Sequence, residues 1–440
     1  MTPYRIALLG LGTVGTEVAH LVDAVNQRRS THGGAPLAIV GIGVRDRSKP
    51  RRLPVGTDPR IVTTDLMSLA TRPDVDLVVE LIGGVDPAAV LIEAALGADK
   101  DVVTANKALL AERGEALFAL AARRKRQLLC EAAVAGAVPI LHVLRDSLPA
   151  GQVQRLTAIL NGTSNYVLDQ LGAGMLTAEA IDCARRAGFA EADPTLDLDG
   201  TDAAHKLALL ARILTGRRVD FRRVARRGIV GLAHVDLAFG ARRRWQLRLI
   251  ARFENLSEGR AALGVYPAWV RDDTPFASVR NEQNAVLVCG QPFGTLFFSG
   301  KGAGGGPTAS SVLADIFRAA RGEGTVSQAS GDLEIEDPEA VAARYSVRFE
   351  VPDRPGILGR IASTLGRHDV SIAAVEQPDT TPRAVAHVHL LTHSVARPRL
   401  DAALAEVALD PMFGPTSGVG STQRDQPVCV RVEDAEGEGA

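Results

Sequence analysis

Five carboxylates, Glu191, Asp193, Asp197, Asp199 and Asp202, fall within the 12 residues that run up to Asp202, and His205-Lys206 follows. Asp202 and Lys206 stand four apart, which puts them on one face of a helix. A lysine held among acids can give a proton to an oxyanion while the carboxylates hold an ammonium group. The competing reading is a helix N-terminus whose acids complement the dipole and whose Asp202 simply pairs with Lys206. Composition leaves both open. His205 has no second histidine at ligand spacing. His387 and His389 share one face of a strand and read as sheet packing, not as metal ligands. Thr104-Ala-Asn106-Lys107 ends a strand, where open α/β sheets bind ligands. There Lys107 can polarise a carbonyl or contact a cofactor, with an ordinary surface lysine as the alternative.

Gly10-Leu-Gly12-Thr-Val-Gly15 follows an apolar strand and opens a helix. In such a loop the first glycine permits the turn, the second admits a pyrophosphate to the backbone, and the third lets helix pack on strand. The phosphate then sits on free N–H groups of the helix N-terminus. Dinucleotide readers that prefer NAD place an acid at the end of the second strand. Here that strand ends Gly43-Val44-Arg45, and Lys49, Arg51 and Arg52 follow. A cation there suits a 2′-phosphate, so NADP(H) is the expected cofactor; Asp46 keeps NAD(H) open.

These residues need a scaffold. Strands are expected at Arg5–Leu9, Leu37–Val44, Leu77–Leu81, Asp101–Thr104 and Gln127–Glu131. Helices are expected at Val14–Arg28, Ala88–Gly97 and Glu112–Lys125. Alternation of this kind makes a doubly wound parallel sheet, an α/β nucleotide-binding domain over 1–138. From Pro139 the pattern turns mixed: a helix at Ile140–Asp146, a strand at Val153–Leu160, helices near Thr177–Ala187 and Asp202–Leu214, and strands at Ala261–Trp269 and Asn284–Cys289. This α+β substrate and dimerisation domain spans 139–320. Its last helix, Thr308–Ala320, follows a second glycine loop, Gly300–Gly306, and is expected to return to the nucleotide domain. A polar linker covers 321–343. A compact unit of strands and helices fills 344–424, and a disordered tail 425–440.

A hydrophobic fraction of 46% and a net charge of −1 describe a soluble globular protein and favour neither nucleic acid nor anionic membrane. Charge is uneven locally: six arginines lie between Arg217 and Arg227 and three more from Arg242 to Arg244. They read as a basic face or subunit contact, with an anionic-ligand site as the alternative. Cys130, Cys183, Cys289 and Cys429 lack metal or disulfide spacing, which fits a reducing cytoplasm. No signal peptide and no span of ~20 apolar residues is present.

In order along the chain stand Gly10–Gly15, Glu80-Leu-Ile-Gly83-Gly84, Val103-Thr-Ala-Asn-Lys107 and Glu131-Ala-Ala-Val134-Ala-Gly136-Ala-Val138-Pro139. Next come Asn161-Gly-Thr-Ser-Asn165, Gly188-Phe-Ala-Glu191-Ala-Asp-Pro, Asp199-Gly-Thr-Asp202-Ala-Ala-His-Lys206 and Gly302-Ala-Gly304-Gly-Gly-Pro307. This series resembles homoserine dehydrogenase over nearly the whole chain. With no aspartokinase-like region before residue 1, it implies the monofunctional form.

The resemblance implies reversible NAD(P)H-dependent reduction of L-aspartate 4-semialdehyde to L-homoserine, a branch step toward threonine and methionine. It implies Lys206 as proton donor, with Lys107 assisting at cofactor and substrate. Glu191 and Asp202 would bind the amino-acid substrate, with Asp197 in support. Thr13, Val14, Gly188 and Gly302 match cofactor-contact positions, beside Gly10, Gly12, Gly15, Arg45, Thr104 and Lys107. Glu131 with the carbonyls of Val134, Gly136 and Val138 matches a monovalent-cation site, usually sodium, and oxygen-only ligands suit a hard cation.

The C-terminal unit, with Asp353-Arg-Pro-Gly356-Ile-Leu358 and Val370-Ser-Ile372, looks like a ferredoxin-like ACT domain. Such domains bind amino acids between paired copies, which implies a homodimer or homotetramer inhibited by threonine; a purely oligomerising role is the alternative. The arginine-rich stretch Arg217–Arg248 departs from the family pattern. Two other readings stand beside this one: another amino-acid-linked dehydrogenase, and a catalytically silent sensor of nucleotide and amino acid.

Overall fold

A computed structural model describes residues 2–28, 36–148, 152–324, 329–377, 385–413 and 427–433. β1 (Tyr4–Leu9), α1 (Thr13–Gln27), β2 (Leu37–Gly43), β3 (Val62–Thr63), α2 (Leu66–Thr71), β4 (Leu77–Glu80), α3 (Ala88–Gly97), β5 (Asp101–Thr104), α4 (Lys107–Arg124) and β6 (Leu128–Leu129) form the first unit. Its sheet order is β3-β2-β1-β4-β5-β6, and every pairing is parallel. Strand order reverses between β1 and β4, so a crevice opens beyond their carboxyl ends. The chemistry-bearing loops after β1, β4 and β5 all lie there.

One boundary matters for function. The periodicity places the start of the fourth helix at Glu112, but α4 begins at Lys107 because Asn106 caps it, accepting Leu109 N–H at 3.2 Å. Lys107 therefore projects from a fixed first turn.

The second unit contains α5 (Ile140–His142), β7 (Gln152–Ile159), α6 (Gly162–Gly172), α7 (Thr177–Arg186), α8 (Thr195–Leu198), α9 (Thr201–Thr215), β8 (Ala225–Arg226), α10 (His234–Ala241), β9 (Trp245–Ser257), β10 (Arg260–Arg271), β11 (Gln283–Gln291), β12 (Gly294–Lys301) and α11 (Gly305–Arg321). Leu156, Ala158 and Leu160 point from β7 and its end into the core shared with the helices, while Ile159 joins a cluster on the other face. α11 returns to the first unit, where Val312 and Ile316 share a buried cluster with Val18 and Val22 of α1.

The third unit consists of β13 (Glu334–Glu336), β14 (Arg344–Pro352), α12 (Ile357–Arg367), β15 (Ile372–Glu376), β16 (Val385–Thr392), α13 (Arg397–Leu409) and β17 (Val428–Val432). Its strands run β17-β14-β16-β15, a ferredoxin-like order, and they continue the mixed sheet of the second unit through β17. β17 corrects the expectation of a disordered tail over 425–440. It pairs parallel to β10 through Ala268↔Arg431 and antiparallel to β14 through Ser346↔Val430. The short Val-Cys-Val-Arg-Val run was hidden by polar flanks, and only non-local pairing makes it a strand. Residues 414–426 and 434–440 lie outside the described residues.

The polar stretch 321–343 is likewise pinned where it is described. β13 pairs with β10, and Asp332 holds Arg218 at 2.6 Å. Glu339 receives Arg227. Arg218 and Arg227 thus become staples, while Arg222, Arg223 and Arg226 of the same cluster stay exposed. Arg242 and Arg243 both grip Glu376 of β15, Arg348 of β14 meets Asp236 of α10 at 2.7 Å, and Phe239 stacks on His389 at 4.7 Å. His389 is in packing, as its strand position suggested. The four cysteines are free thiols. Among the described residues no helix is long and apolar enough to cross a membrane.

Candidate active site

The glycine turn after β1 has three different glycines. Gly10 sits at φ +102, and a Cβ there would stand 2.6 Å from the Leu81 carbonyl oxygen. A Cβ on Gly15 would come within 2.1 Å of the Gly10 carbonyl oxygen, which fixes how closely α1 approaches the turn. Gly12 is the opposite case: beyond its own chain neighbours, nothing among the described residues lies within 4 Å of its Cβ position. Its backbone caps α1 with no side-chain hydrogen bond, which leaves the first N–H groups of the helix for an anion. α11 starts the same way, uncapped, from Gly304 at φ +115. A Cβ on Gly305 would touch Thr13 Cγ2 at 2.9 Å, so the two glycine-led helix starts meet.

Two loops from the same sheet edge are locked by buried side chains. Glu80, fully buried, accepts Ile82 N–H at 2.7 Å and the Thr104 hydroxyl at 2.6 Å. Asn106 reaches Gly84 O at 2.6 Å. Thr104 was expected to contact cofactor; its side chain is buried and spent on Glu80. It braces the loop that presents Lys107.

Lys107 crosses from the nucleotide unit to the second one, where its amine lies 2.5 Å from Asp202 Oδ1. Lys206 donates to Asp202 Oδ2 at 2.7 Å and to the Leu160 carbonyl at 2.6 Å. Asn161 donates to Asp202 Oδ2 at 2.9 Å and to Asp197 Oδ1 at 2.6 Å. The site is thus one buried carboxylate shared by two amines, with a second acid beside it. Burial alone would raise the Asp202 carboxyl, but the two ammonium groups outweigh it and hold it below the usual carboxylate range. Burial, aided by Lys107, pushes the Lys206 amine down from its ordinary value. Burial also opposes charge on Lys107, yet Asp202, Asp197 and Glu191 hold its amine up. Burial and the Asp202 charge raise Asp197. Glu191 is exposed at the rim.

A continuous set of contacts joins this cluster to the glycine turn. Asn284, fully buried, donates to the Leu160 carbonyl at 3.0 Å. A Cβ on Gly302 would lie 2.1 Å from the Asn284 side chain, so the Gly302 backbone rests on that amide. From Gly302 the loop runs to Gly305 against Thr13. The Lys206 amine is therefore buried and linked through Leu160, Asn284 and Gly302 to the glycine turn.

The segment after β6 folds tightly. Ala135 and Gly136 take left-handed φ values of 55 and 57, the Gly136 carbonyl accepts the Ser311 hydroxyl at 2.7 Å, and the Val138 carbonyl accepts Ile140 N–H at 2.8 Å. Glu131 is buried; its two oxygens accept Leu141 N–H at 2.9 Å and His142 N–H at 2.8 Å. Burial pushes its carboxyl up to about 7. A Cβ on Gly136 would clash with the Gly302 backbone at 2.5 Å, so this loop supports the cofactor loop from behind.

The model of the homoserine dehydrogenase family matches residues 139–317, that of the homoserine dehydrogenase NAD-binding domain residues 10–131, and that of the ACT domain residues 345–408. A homoserine dehydrogenase of Corynebacterium glutamicum is 38% identical over 430 residues, covering 96% of each chain. The chain belongs to the homoserine dehydrogenase family. The homoserine dehydrogenase of Mycobacterium tuberculosis is 38% identical, over 93% of this chain and 94% of that one. The crystal structure of a homoserine dehydrogenase from Thiobacillus denitrificans superposes with a TM-score of 0.88 at 33% identity, over 99% of both chains.

A homoserine dehydrogenase is an oxidoreductase of amino-acid biosynthesis, and the matches favour it over a silent sensor or another dehydrogenase. The parallel nucleotide sheet, the mixed-sheet domain and the C-terminal ACT domain agree with the resemblance. Of the residues expected in the site, Lys107, Asp202 and Lys206 meet directly, Asp197 joins them through the Asn161 amide, Glu191 stands at the rim, and Gly188, at φ +76, follows α7 facing open space. Asn161, Asn284, Glu80 and Asn106 went unassigned. Asn161, Glu80 and Asn106 lie inside motifs that carried the resemblance, whereas nothing around Asn284 in the sequence singles it out.

Proposed function

We propose that Lys206 gives the proton to the aldehyde oxygen of L-aspartate 4-semialdehyde and takes it back from L-homoserine in the reverse direction. The carrying observation is the Lys206 ammonium group: two of its three N–H donors go to Asp202 and the Leu160 carbonyl, and the third remains for substrate. Bound NADPH supplies hydride to the carbonyl carbon. Lys107, on the other oxygen of Asp202, steadies that carboxylate and adds positive charge where the oxyanion grows. Asp202, Asp197 and Glu191 receive the substrate ammonium group. A lowered Lys206 pKa serves homoserine oxidation, which needs the neutral amine, so that direction gains rate as pH rises. Replacing Lys206 by Ala lowers kcat by about 10²–10⁴ in an assay of L-homoserine oxidation. Near-normal turnover removes Lys206 from the reaction.

NADP(H) is the preferred cofactor in this reading. Asp46, the acid that would favour NAD, is engaged in its own turn, accepting the Ser48 N–H at 2.8 Å and hydroxyl at 2.7 Å. Arg45 is exposed beside it and suits a 2′-phosphate. Higher rates with NADH than NADPH at equal concentration overturn the preference. The Glu131 segment fits a monovalent cation, sodium by family resemblance: its donors are all oxygen, and a buried carboxylate gains from a nearby positive charge. There Glu131 and the carbonyls of Val134, Gly136 and Val138 would hold the ion and stiffen the loop under Gly302. The ACT domain receives an amino-acid effector, threonine by the same resemblance, in a dimeric or tetrameric cytoplasmic enzyme.

A further inference from the structure

We propose that Asn161 is the positioning residue that holds Asp197 and Asp202 in register with the Lys206 amine. The inference rests on the roles given above to Asp202 and Lys206. Asn161 follows β7 and caps α6. Its Oδ1 accepts Ser164 N–H at 2.7 Å, and its own carbonyl accepts the Ser164 hydroxyl at 3.1 Å. The amide plane cannot rotate without uncapping the helix. Both N–H groups of the amide are consequently aimed across the cleft, one at Asp197 (2.6 Å) and one at Asp202 (2.9 Å).

The preceding residue completes the clamp. The Leu160 carbonyl takes the Lys206 amine at 2.6 Å and is itself braced by Asn284 at 3.0 Å. Two successive residues thus set the separation of amine and acids: Leu160 through its backbone, Asn161 through its side chain. Only an amide serves here. An aspartate would cap the helix but add a third carboxylate, and a serine would cap it but cannot span two acids. Those acids face Lys107 from α4, Lys206 and His205 from α9, and Glu191 from the loop after α7. In this setting the amide donor opposes the effect of burial on Asp197. Its loss makes Asp197 easier to protonate.

Asn161→Ser keeps a good N-cap and removes the bridging amide. Its KM for L-homoserine rises about tenfold, the loss of a hydrogen bond to a charged group. The acid limb of kcat/KM moves to higher pH, while NADPH affinity, read by cofactor fluorescence, and melting temperature stay near wild type. Asn161→Asp, isosteric and also a cap, raises KM further and lowers kcat. Wild-type KM and acid limb in Asn161→Ser reduce Asn161 to a helix cap and overturn the inference. Should the serine variant not fold, an Asn161→Asp enzyme with wild-type KM and acid limb does the same. Neither result touches the Lys206 assignment, which stands or falls on Lys206→Ala.

Discussion

Two places in this chain bury charged side chains between units, and they are built on different rules. In the cleft one carboxylate, Asp202, serves two amines and an amide, and Lys206 keeps one N–H with no partner among the described residues. At the ACT junction the charged groups pair with one another. Arg348 meets Asp236, Glu376 is enclosed by Arg242 and Arg243, the Trp269 indole donates to Ser346 at 2.6 Å, and Phe239 covers His389. Lysine, a flexible point charge whose pKa moves readily, fills the first place, and arginine, a permanently charged fork, fills the second. The lesson is that in the cleft the shared charge is arranged around an amine with a donor to spare, whereas at the junction each of these carboxylates is matched to its own arginines.

The sharpest way to break this contrast is to remove the shared charge. Asp202→Asn keeps the shape but costs two amines their anionic partner. At about 1.5–3 kcal/mol for a hydrogen bond to a charged group, kcat/KM for L-homoserine falls by roughly 10²–10³. Because Asp202 opposes the effect of burial on Lys206, the Lys206 pKa drops further and the acid limb of oxidation moves to lower pH. A steady-state pH series checks both. An upward shift of that limb would falsify the shared-carboxylate account.

The backbone offers the same contrast in terms of space. Gly12 faces open volume and Gly15 faces the Gly10 carbonyl at 2.1 Å. Gly12→Ala therefore keeps its melting temperature but weakens NADPH about tenfold or more, because the added methyl occupies the place of the pyrophosphate. Gly15→Ala lowers the melting temperature as well, since α1 must back away from the turn. Thermal melts beside cofactor titrations separate the two; equal melting losses would end the distinction.

Much of this was legible in the sequence, and the reasons for the rest are physical. Glycine loops, strand alternation and the Asp202–Lys206 spacing are local signals, so the nucleotide sheet and the acid-lysine cluster could be read directly. What escaped depends on pairing at a distance. The β17 strand exists through β10 and β14, and the start of α4 at Lys107 depends on the Asn106 cap more than on periodicity. Asn284 acquires meaning only where Leu160 and Gly302 arrive beside it. Arg222, Arg223 and Arg226 are exposed, as a basic face requires, but the pairing of Arg218, Arg227, Arg242 and Arg243 could not be read because their acids, Asp332, Glu339 and Glu376, lie more than a hundred residues away. Thr104 sat at the right strand end but turned its hydroxyl inward to Glu80.

At the ACT junction, losing one partner should cost stability and leave the chemistry alone. Glu376→Ala frees two arginines that are partly exposed, so the expected loss is modest, about 1–2 kcal/mol. It shows as a lower midpoint in urea, with kcat for L-homoserine within about twofold of wild type in the absence of effector. A collapse of kcat would mean that the junction feeds the cleft directly.

The smallest effect is a matter of pH. His389 is buried against Phe239 beside Arg348, and burial first, then that arginine, lowers its pKa to about 4. A histidine whose folded pKa lies below its unfolded value binds fewer protons when folded. Its stabilising contribution is therefore complete above the unfolded value and is lost as pH falls through about 4. Its Nε2 is buried with no hydrogen-bond partner among the described residues, so the ring acts as an uncharged plate. His389→Phe keeps a plate that cannot take a proton. The variant should match wild type near pH 8 and melt higher at pH 5, with a flatter curve between. Parallel slopes for the two proteins would show that His389 takes up its proton as readily in the folded protein as in the unfolded chain, and would end this account of the junction.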